Sequence, residues 1–288
     1  MNSKKYITPI TLLLLIMAFL NSCKKDNVKP AADIFYSVSL DGYTVTFTNQ
    51  TTGAVSYEWD FGDGQTSTEE SPVHTYPGKG KFVPTLYATT ADGITTEGST
   101  VINIAKSSGV KLNDNLLSDW DTVTHNVINT TASGGIIQKV KFDYDSENIY
   151  FYLEMNSTES NGDIFDFYID SDNDPGTGLI TWLFTGSGND VLIEGAMLTG
   201  WFDLFYHIGE QNSFSFDYQS ISEFYEVGTA EQDGPILKFE GKIKRAKIKG
   251  LTGKGMKIGI TATKNDWSET LGIAPDPATP AFYLDMSE

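Results

Sequence analysis

The chain has little cysteine, little histidine and little positive charge, and each shortage excludes something. Of its 288 residues only Cys23 is a cysteine, so no disulfide can hold a domain together. Only three histidines are present, and no G-x-S-x-G motif marks a nucleophile. Acidic residues outnumber basic ones 38 to 20, and a net charge of −18 repels phosphate backbones. Nucleic acid is therefore excluded as a partner, and the domains must be stabilised by burial alone.

The residues that remain predict an all-β protein. Tyr, Phe, Thr, Ile and Val recur in short alternating runs, and Gly, Asn and Asp separate these runs. Residues 43–48 and 56–61 show the alternation clearly. The length suffices for two domains with separate cores. We predict a first β domain over residues 33–105, a linker over 106–110 and a larger antiparallel β domain over 111–288.

The N-terminus has the layout of an export signal. Lys4 and Lys5 precede an apolar run at residues 7–20, and the sequence L-N-S-C ends at Cys23. The run of about 14 residues is shorter than the roughly 20 that span a bilayer, which disfavours a transmembrane anchor. The segment resembles a bacterial lipoprotein lipobox. This resemblance implies a signal peptide over residues 1–22, acylation of Cys23, a flexible tether over 23–32 and a lipid-anchored position at the outer membrane, on the cell surface or facing the periplasm. An ordinary signal peptide is the alternative.

The first domain carries three motifs that occur together in one known protein family. They are Y-E-W-D-F-G-D-G at residues 57–64, S-P followed by H-T-Y at 71–76, and G-K-F at 80–82. Together they resemble the PKD family, which implies an immunoglobulin-like β-sandwich. Trp59 and Phe61 lie two residues apart on one strand face and should both enter the core, and Tyr76 should bury its ring.

His74 follows Asp60 and Asp63 closely enough in sequence to suggest a metal site or an acid–base pair. The simpler interpretation is that both aspartates organise the Gly62-Asp63-Gly64 turn through side-chain to backbone bonds, with His74 packed nearby. We favour the turn.

Three segments of the second domain are similar to a second known family. They read L-N-D-N-L-L-S-D-W at residues 112–120, V-K-F-D-Y-D-S-E-N-I-Y-F-Y-L-E at 140–154 and D-F-Y-I-D-S-D-N-D-P-G-T-G at 166–178. They resemble the family 9 carbohydrate-binding modules and their DOMON-like relatives. The resemblance implies an antiparallel β-sandwich that binds carbohydrate, and it makes Trp120 structural.

The order of segments adds an analogy. A lipid anchor, an immunoglobulin-like spacer and a terminal β-sandwich resemble the surface glycan-binding lipoproteins of Bacteroidetes-type polysaccharide uptake systems. The resemblance implies a polysaccharide or oligosaccharide ligand and, as further partners, outer-membrane components of glycan uptake.

Aromatic side chains are the candidate sugar contacts, because flat rings fit the C–H faces of sugars. Five of them fall near predicted loops or strand ends: Trp182, Trp201, Tyr206, Tyr225 and Trp267. Asp203 and Glu223 are the candidate hydroxyl partners, with Asp190 and Glu194 as further acids nearby. The alternative is that most of these rings belong to the core, since a β-sandwich buries large aromatics routinely.

An acidic segment is the candidate metal site. Asp170, Asp172 and Asp174 alternate and are followed by Gly176 and Gly178, and oxygen-rich loops with glycine suit Ca²⁺. The alternative is a solvated hairpin turn in which backbone N–H groups neutralise the carboxylates. Calcium is the candidate cofactor, and the sequence predicts no other.

The sequence thus predicts a non-catalytic glycan-binding protein. Two rival hypotheses stay open. One is a glycoside hydrolase or lyase that uses Asp203 or Glu223. The other is an adhesin or structural spacer without glycan binding.

Overall fold

The computed structural model describes residues 29–251 and 254–287, and these are nearly all β-structure, as predicted. Cys23 and the signal segment lie outside the described residues. Within them, no helix has the length and apolarity to cross a membrane. Backbone contacts divide the chain into two compact units. One comprises the described residues up to Ser39, Thr46–His74 and Phe82–Ile102, and the other comprises Leu40–Val45, Thr75–Lys81 and the residues from Asn103 onward.

Between residues 29 and 105 the structure has nine short strands: β1 (Tyr36–Asp41), β2 (Thr44–Asn49), β3 (Ser56–Asp60), β4 (Thr66–Ser67), β5 (Val73–Thr75), β6 (Gly80–Phe82), β7 (Thr85–Thr89), β8 (Thr95–Ser99) and β9 (Ile102–Ile104). They form a sheet in the order β1-β2-β5, a sheet in the order β4-β3-β7-β8 and a pair β6-β9.

Aromatic rings fill the core of this part. Trp59 is fully buried, and its ring lies 4.9 Å from that of Phe47 and 5.0 Å from that of Tyr36. Phe61 and Tyr76 are buried as well. The prediction that Trp59 and Phe61 enter the core is confirmed, and it rested on the two-residue period of a strand. The predicted burial of the Tyr76 ring is confirmed as well.

The aspartates at the end of the core strand β3 organise a turn, as predicted. Asp60 Oδ1 accepts a hydrogen bond from Gly62 N at 2.9 Å, and Asp63 Oδ1 accepts one from Gln65 N at 3.0 Å. His74 Nε2 lies 2.8 Å from Asp63 Oδ2, and its ring stacks on Phe61 at 3.9 Å. Gly62 has a φ of 78°, and a Cβ there would lie 2.9 Å from Val83 N. The residues once suspected of metal or acid–base chemistry therefore build the turn.

Among the described residues after 105 there are fourteen strands: β10 (Val127–Asn129), β11 (Ile137–Tyr144), β12 (Asn148–Asn156), β13 (Ile164–Asp170), β14 (Phe184–Thr185), β15 (Val191–Gly195), β16 (Asp203–His207), β17 (Phe216–Gln219), β18 (Tyr225–Asp233), β19 (Ile236–Lys244), β20 (Gly255–Thr263), β21 (Thr270–Ala274), β22 (Thr279–Pro280) and β23 (Phe282–Asp285). Four short 3₁₀ helices lie in the described part of this region: one before β10, at Ser118–Thr122, and three between strands, at Ala132–Gly134, Glu159–Asn161 and Arg245–Lys247.

Twelve of these strands build a β-sandwich, and β14 and β22 form a separate pair. One sheet has the order β10-β11-β12-β19-β18, and the other has the order β17-β16-β15-β13-β20-β21 with β23 also paired to β20. Rings from the two sheets meet in the core, where Phe151 lies 5.2 Å from Phe167 and Phe165 lies 5.4 Å from Phe239. The alternation predicted for β12 is confirmed, because Phe151 enters this core while Tyr152 lies on the other face.

Trp120 covers the outer face of the five-stranded sheet. It is 1% exposed, and its Nε1 donates a hydrogen bond of 2.8 Å to Glu240 Oε2. Glu240 is fully buried on β19, and its Oε1 also accepts a bond from Thr229 N at 3.1 Å. Val110, from the segment predicted to be a linker, packs into the same cluster with Tyr152. The structural role predicted for Trp120 is confirmed, with Glu240 as its buried partner.

Candidate functional site

The antiparallel register gives the seven-stranded sheet two distinct ends. At the upper end, Gly195 at the close of β15 faces Phe165, and Thr263 at the close of β20 faces Ile164. The loops at residues 196–202, 220–224 and 264–269 leave the sheet at the upper end. The loops at residues 171–183 and 208–215 leave it at the lower end. Candidate residues lie at both ends, so they form two sites.

The larger site is a cavity of about 320 Å³ at the upper end. Four of the seven predicted ligand contacts line it, namely Trp201, Asp203, Glu223 and Tyr225. Tyr218 of β17 also contributes to the wall, although the sequence analysis did not select it. We call this space the aromatic cavity.

Two rings of the aromatic cavity pack against the protein on the side away from solvent. Trp201 is 41% exposed, and a Cβ on Gly195 would lie 2.7 Å from its Cε3, so this ring rests against bare backbone. Tyr225 meets the buried ring of Phe202 edge-on at 5.2 Å. Only a residue without a side chain lets the indole approach β15 so closely. The result is an indole with part of its surface open to solvent and little freedom to move.

The polar groups of the aromatic cavity are acidic. Asp203 and Glu223 line it, and none of the lining residues is Lys, Arg or His. Burial, with a smaller contribution from the charge of Asp203, raises the pKa of the Tyr225 hydroxyl. Carboxylates accept hydrogen bonds and a phenol also donates them, so the wall can bind the hydroxyl groups of a polar ligand.

A row of acids crosses the outer face of the sheet beside this cavity. Asp203, Glu194 and Asp166 stand opposite one another on β16, β15 and β13. Asp166 is 7% exposed, and its Oδ2 accepts a hydrogen bond from Thr261 Oγ1 at 2.8 Å. Its Oδ1 is buried and has no donor among the described residues. We call Asp203, Glu194 and Asp166 the acid row.

Two members of the acid row have raised pKa values. Burial raises the pKa of Asp166 to about 6. Burial, and then the charge of Asp166, raises the pKa of Glu194 to about 7. Adjacent carboxylates in a poorly solvated place cannot both ionise cheaply, so a proton held between them supplies the donor that Asp166 Oδ1 lacks.

A second, smaller cavity of about 150 Å³ lies at the lower end. Asp172, Asp190, Tyr206 and His207 are among the residues that line it. Asp170, Asp172 and Asp190 each place one carboxylate oxygen within 4.8 Å of the others. We call these three residues the aspartate cluster.

The aspartate cluster differs from the set predicted from sequence. Asp174 is exposed and is not one of its members, since its Oδ1 accepts a hydrogen bond from Gly176 N at 2.8 Å and so supports the turn. Asp190, the residue before β15, is the third member instead. Alternation along one segment indicated Asp170 and Asp172 together, whereas Asp190 is distant in sequence and is brought in by the pairing of β13 with β15.

Asp170 is the most buried member of the cluster. Its Oδ2 accepts hydrogen bonds from Lys257 Nζ at 3.2 Å and from Gly188 N at 3.3 Å. Its Oδ1 is buried and has no partner among the described residues. Burial raises the pKa of Asp170 and of Asp190, and the charge of Asp172 raises both further. Lys257 therefore pairs with one of the three carboxylates, and Lys249 also lines the small cavity.

The remaining candidates lie apart from the aromatic cavity. Tyr206 is half-buried at the lower end, where its hydroxyl donates to Lys247 O at 3.3 Å. Trp182 is 75% exposed in the lower-end loop, and Trp267 is 51% exposed in the upper-end turn between β20 and β21. Neither tryptophan is among the residues that line the two cavities. The three exposed tryptophans are outside the core, contrary to the alternative that most candidate rings are buried.

Known proteins resemble parts of this chain. Residues 27–104 match the family model described as PKD domain. The chain is 34% identical over 99 residues to a microbial collagenase of Vibrio alginolyticus, covering 33% of this chain and 11% of that protein. It is also 34% identical over 83 residues to collagenase ColQ1 of Bacillus cereus, covering 29% of this chain and 8% of that one. The chain thus spans about a tenth of the length of these relatives.

Two solved structures show partial likeness. The PKD1 domain from the Vibrio cholerae metalloprotease PrtV is 33% identical over 26% of this chain and 98% of its own, with a TM-score of 0.25. A structure of carbohydrate-binding modules from the β-sandwich superfamily is 12% identical over 89% of this chain and 99% of its own, with a TM-score of 0.28.

The chain is therefore an all-β protein in which an immunoglobulin-like domain precedes a β-sandwich. The first of these is a PKD domain.

Proposed function

We propose that the second domain binds a polysaccharide or oligosaccharide in the aromatic cavity, without catalysis, and that the PKD domain is a spacer. One observation carries the proposal: Trp201, Tyr218 and Tyr225 share a cavity of about 320 Å³ with two carboxylates. Binding sites for small ligands combine apolar walls with a few placed polar groups. Sugars need both, because they present C–H faces to rings and hydroxyl groups to acceptors.

The acids next to the cavity bear on the rival hypothesis of a hydrolase. A glycosidase needs a protonated carboxyl and an ionised one on either side of the scissile bond. Glu194 has the raised pKa of a general acid, but it is not among the residues lining the cavity. Its proton is engaged with Asp166 behind the wall. Glu194 is therefore a poor candidate for the general acid. Asp203 and Glu223, the acids of the rival hypothesis, do line the cavity, so the test must measure turnover as well as binding.

A panel of soluble polysaccharides tests the proposal. In affinity electrophoresis, xylan, galactomannan, mixed-linkage glucan and pectin are each cast into a native gel, and at least one should retard the protein. The same polymers are then incubated with the protein and assayed for new reducing ends, and none should appear. Turnover would overturn the non-catalytic proposal, and a protein that no polymer retards would be a spacer or adhesin instead.

The proposal extends to the anchor. A chain acylated at Cys23 would hold the two domains at the outer membrane, near components of glycan uptake, and the support is the sequence L-N-S-C alone. Two or more acyl chains give lasting attachment, at about 0.8 kcal/mol per buried methylene. Labelling with radioactive palmitate should mark the wild type and leave Cys23→Ser unlabelled and soluble. Equal labelling of both would contradict it.

We further propose Ca²⁺ as a ligand of the aspartate cluster. Ca²⁺ prefers carboxylate oxygens, and the unpartnered Oδ1 of fully buried Asp170 supports a cation there. A bound ion raises the free energy of unfolding by about 2.7 kcal/mol at a concentration one hundred times its dissociation constant.

The chain offers a matched control for the calcium proposal. Added Ca²⁺ should raise the melting temperature of the chelator-treated wild type. Asp190→Asn should lose this shift, whereas Asp174→Asn should keep it because Asp174 is outside the cluster. A shift that is lost in Asp174→Asn and kept in Asp190→Asn would instead support the site predicted from sequence, Asp170, Asp172 and Asp174. If Ca²⁺ does not shift the melting temperature of the wild type, the calcium proposal is wrong.

A further inference from the structure

Aromatic side chains alternate along the edge of the seven-stranded sheet. Phe214, Phe216 and Tyr218 occupy every second position, so all three side chains lie on one face of β17 and of the turn before it. The same face of neighbouring β16 carries Phe205 opposite Tyr218 and His207 opposite Phe216. Because β17 ends the strand order, no further strand of this sheet lies beside it among the described residues.

The rings of this face are open to solvent, yet they are supported. Phe214 is 64% exposed and Tyr218 is 56% exposed. Phe214 contacts Phe216 edge-on at 5.1 Å, and Tyr218 contacts Phe205 edge-on at 5.7 Å. Phe216 packs in turn on the small core formed by Tyr168 and its neighbours. Ring-on-ring support of this kind fixes the orientation of each exposed ring.

The row is continuous with the aromatic cavity. Tyr218 lines that cavity at the upper end, and Phe214 lies in the turn that precedes β17 at the lower end. Alternate residues on a strand are about 6.8 Å apart, so the three rings cover about 14 Å of surface. A single sugar in the cavity would not reach the rings of Phe214 and Phe216.

We propose that Phe214, Phe216 and Tyr218 form a track that carries a polysaccharide chain out of the aromatic cavity. The ligand is then an extended chain with exposed C–H faces that is bound along its interior, rather than a terminal sugar or a disaccharide. This inference rests on the proposed function and specifies its substrate class. Each additional sugar that reaches a ring adds contact area without any further ordering of the protein.

The length of the ligand tests the track. Fragments of whichever polysaccharide retards the protein, from disaccharide to hexasaccharide, are titrated calorimetrically. Wild-type affinity should rise by about tenfold or more between the disaccharide and the hexasaccharide. Phe214→Ala should bind the disaccharide as the wild type does and lose most of the gain with length. Phe35→Ala is the matched control, because this phenylalanine is 62% exposed on the first domain.

The possible outcomes separate the two proposals. Affinity that is independent of length, in a wild type that binds the disaccharide, would overturn the track and leave the aromatic cavity standing. A gain with length that survives in Phe214→Ala would overturn it as well. Failure of every fragment and of the parent polysaccharide to bind would overturn both proposals. A gain lost in Phe214→Ala and kept in Phe35→Ala supports the track.

Discussion

In the second domain the fold places three acidic side chains next to one another, and their sequence positions did not predict this. Asp166, Glu194 and Asp203 are distant in sequence, and only the pairing of β13, β15 and β16 sets them side by side. Like charges directly opposite on neighbouring strands destabilise a sheet. The acid row therefore makes the stability of the domain depend on pH.

The direction follows from the pKa values. Burial and mutual repulsion raise the pKa values of the Asp166–Glu194 pair to about 6 and about 7, above their ordinary values of 3.8 and 4.5. The folded state thus holds protons that the unfolded state has released. The contribution to stability is complete below about pH 4 and is lost as pH rises through 6 and 7.

Replacement of Asp166 by Asn should remove much of this dependence, because the amide needs no proton to face Glu194. Relative to the wild type, Asp166→Asn should gain stability between pH 5 and 8, by on the order of 1–2 kcal/mol. Chemical denaturation of both proteins at several pH values measures the difference. A difference that is constant across this range would contradict the shared proton, and Glu194→Gln provides a second variant should Asp166→Asn fold poorly.

At the scale of elements, one segment depends on a single tryptophan. Residues 110–120 cover the outer face of the five-stranded sheet through Trp120, whose indole bonds Glu240. Trp120→Ala should cost about 3–5 kcal/mol of unfolding free energy, since it removes a buried ring and leaves a buried carboxyl with one partner fewer. Denaturant melts measure the loss. Trp182→Ala, at a 75% exposed indole, should change stability by about 0.5 kcal/mol or less, and equal losses in both variants would contradict the assignment.

Sequence reasoning succeeded for elements whose pattern is local. The two-residue period placed Trp59 and Phe61 in the core, and the Gly62-Asp63-Gly64 motif gave its turn. The same reasoning missed Tyr218 and Phe214, although their alternation with Phe216 was visible, because an edge strand with exposed rings has the pattern of a buried one. Asp190 was not assigned to the aspartate cluster, since only the fold brings it to Asp170.

For the whole molecule, the two domains should respond to pH in opposite directions. In the PKD domain burial raises the pKa of Asp63, but the bonds from His74 and Gln65 N outweigh burial and leave this pKa below its ordinary value of 3.8. Its stabilising contribution is complete above about pH 5 and is lost as pH falls through 3.8 and below. The second domain loses stability on the alkaline side instead, through Asp166 and Glu194.

Calorimetric scans of the full chain between pH 3 and pH 8 should therefore show one transition that moves up with pH and another that moves down. Asp63→Asn should flatten the first transition only. Two transitions that move together in the wild type would contradict the assignment of these carboxyls.

The direct test of the central claim compares two exposed tryptophans of the same domain. Trp201 lines the aromatic cavity, whereas Trp182 is more exposed and does not. The dissociation constant for the polysaccharide that retards the wild type in the gel should rise by about tenfold or more in Trp201→Ala, equivalent to about 1.4 kcal/mol. It should stay unchanged in Trp182→Ala. Loss of binding in Trp182→Ala with full binding in Trp201→Ala would contradict the claim that carbohydrate enters the aromatic cavity.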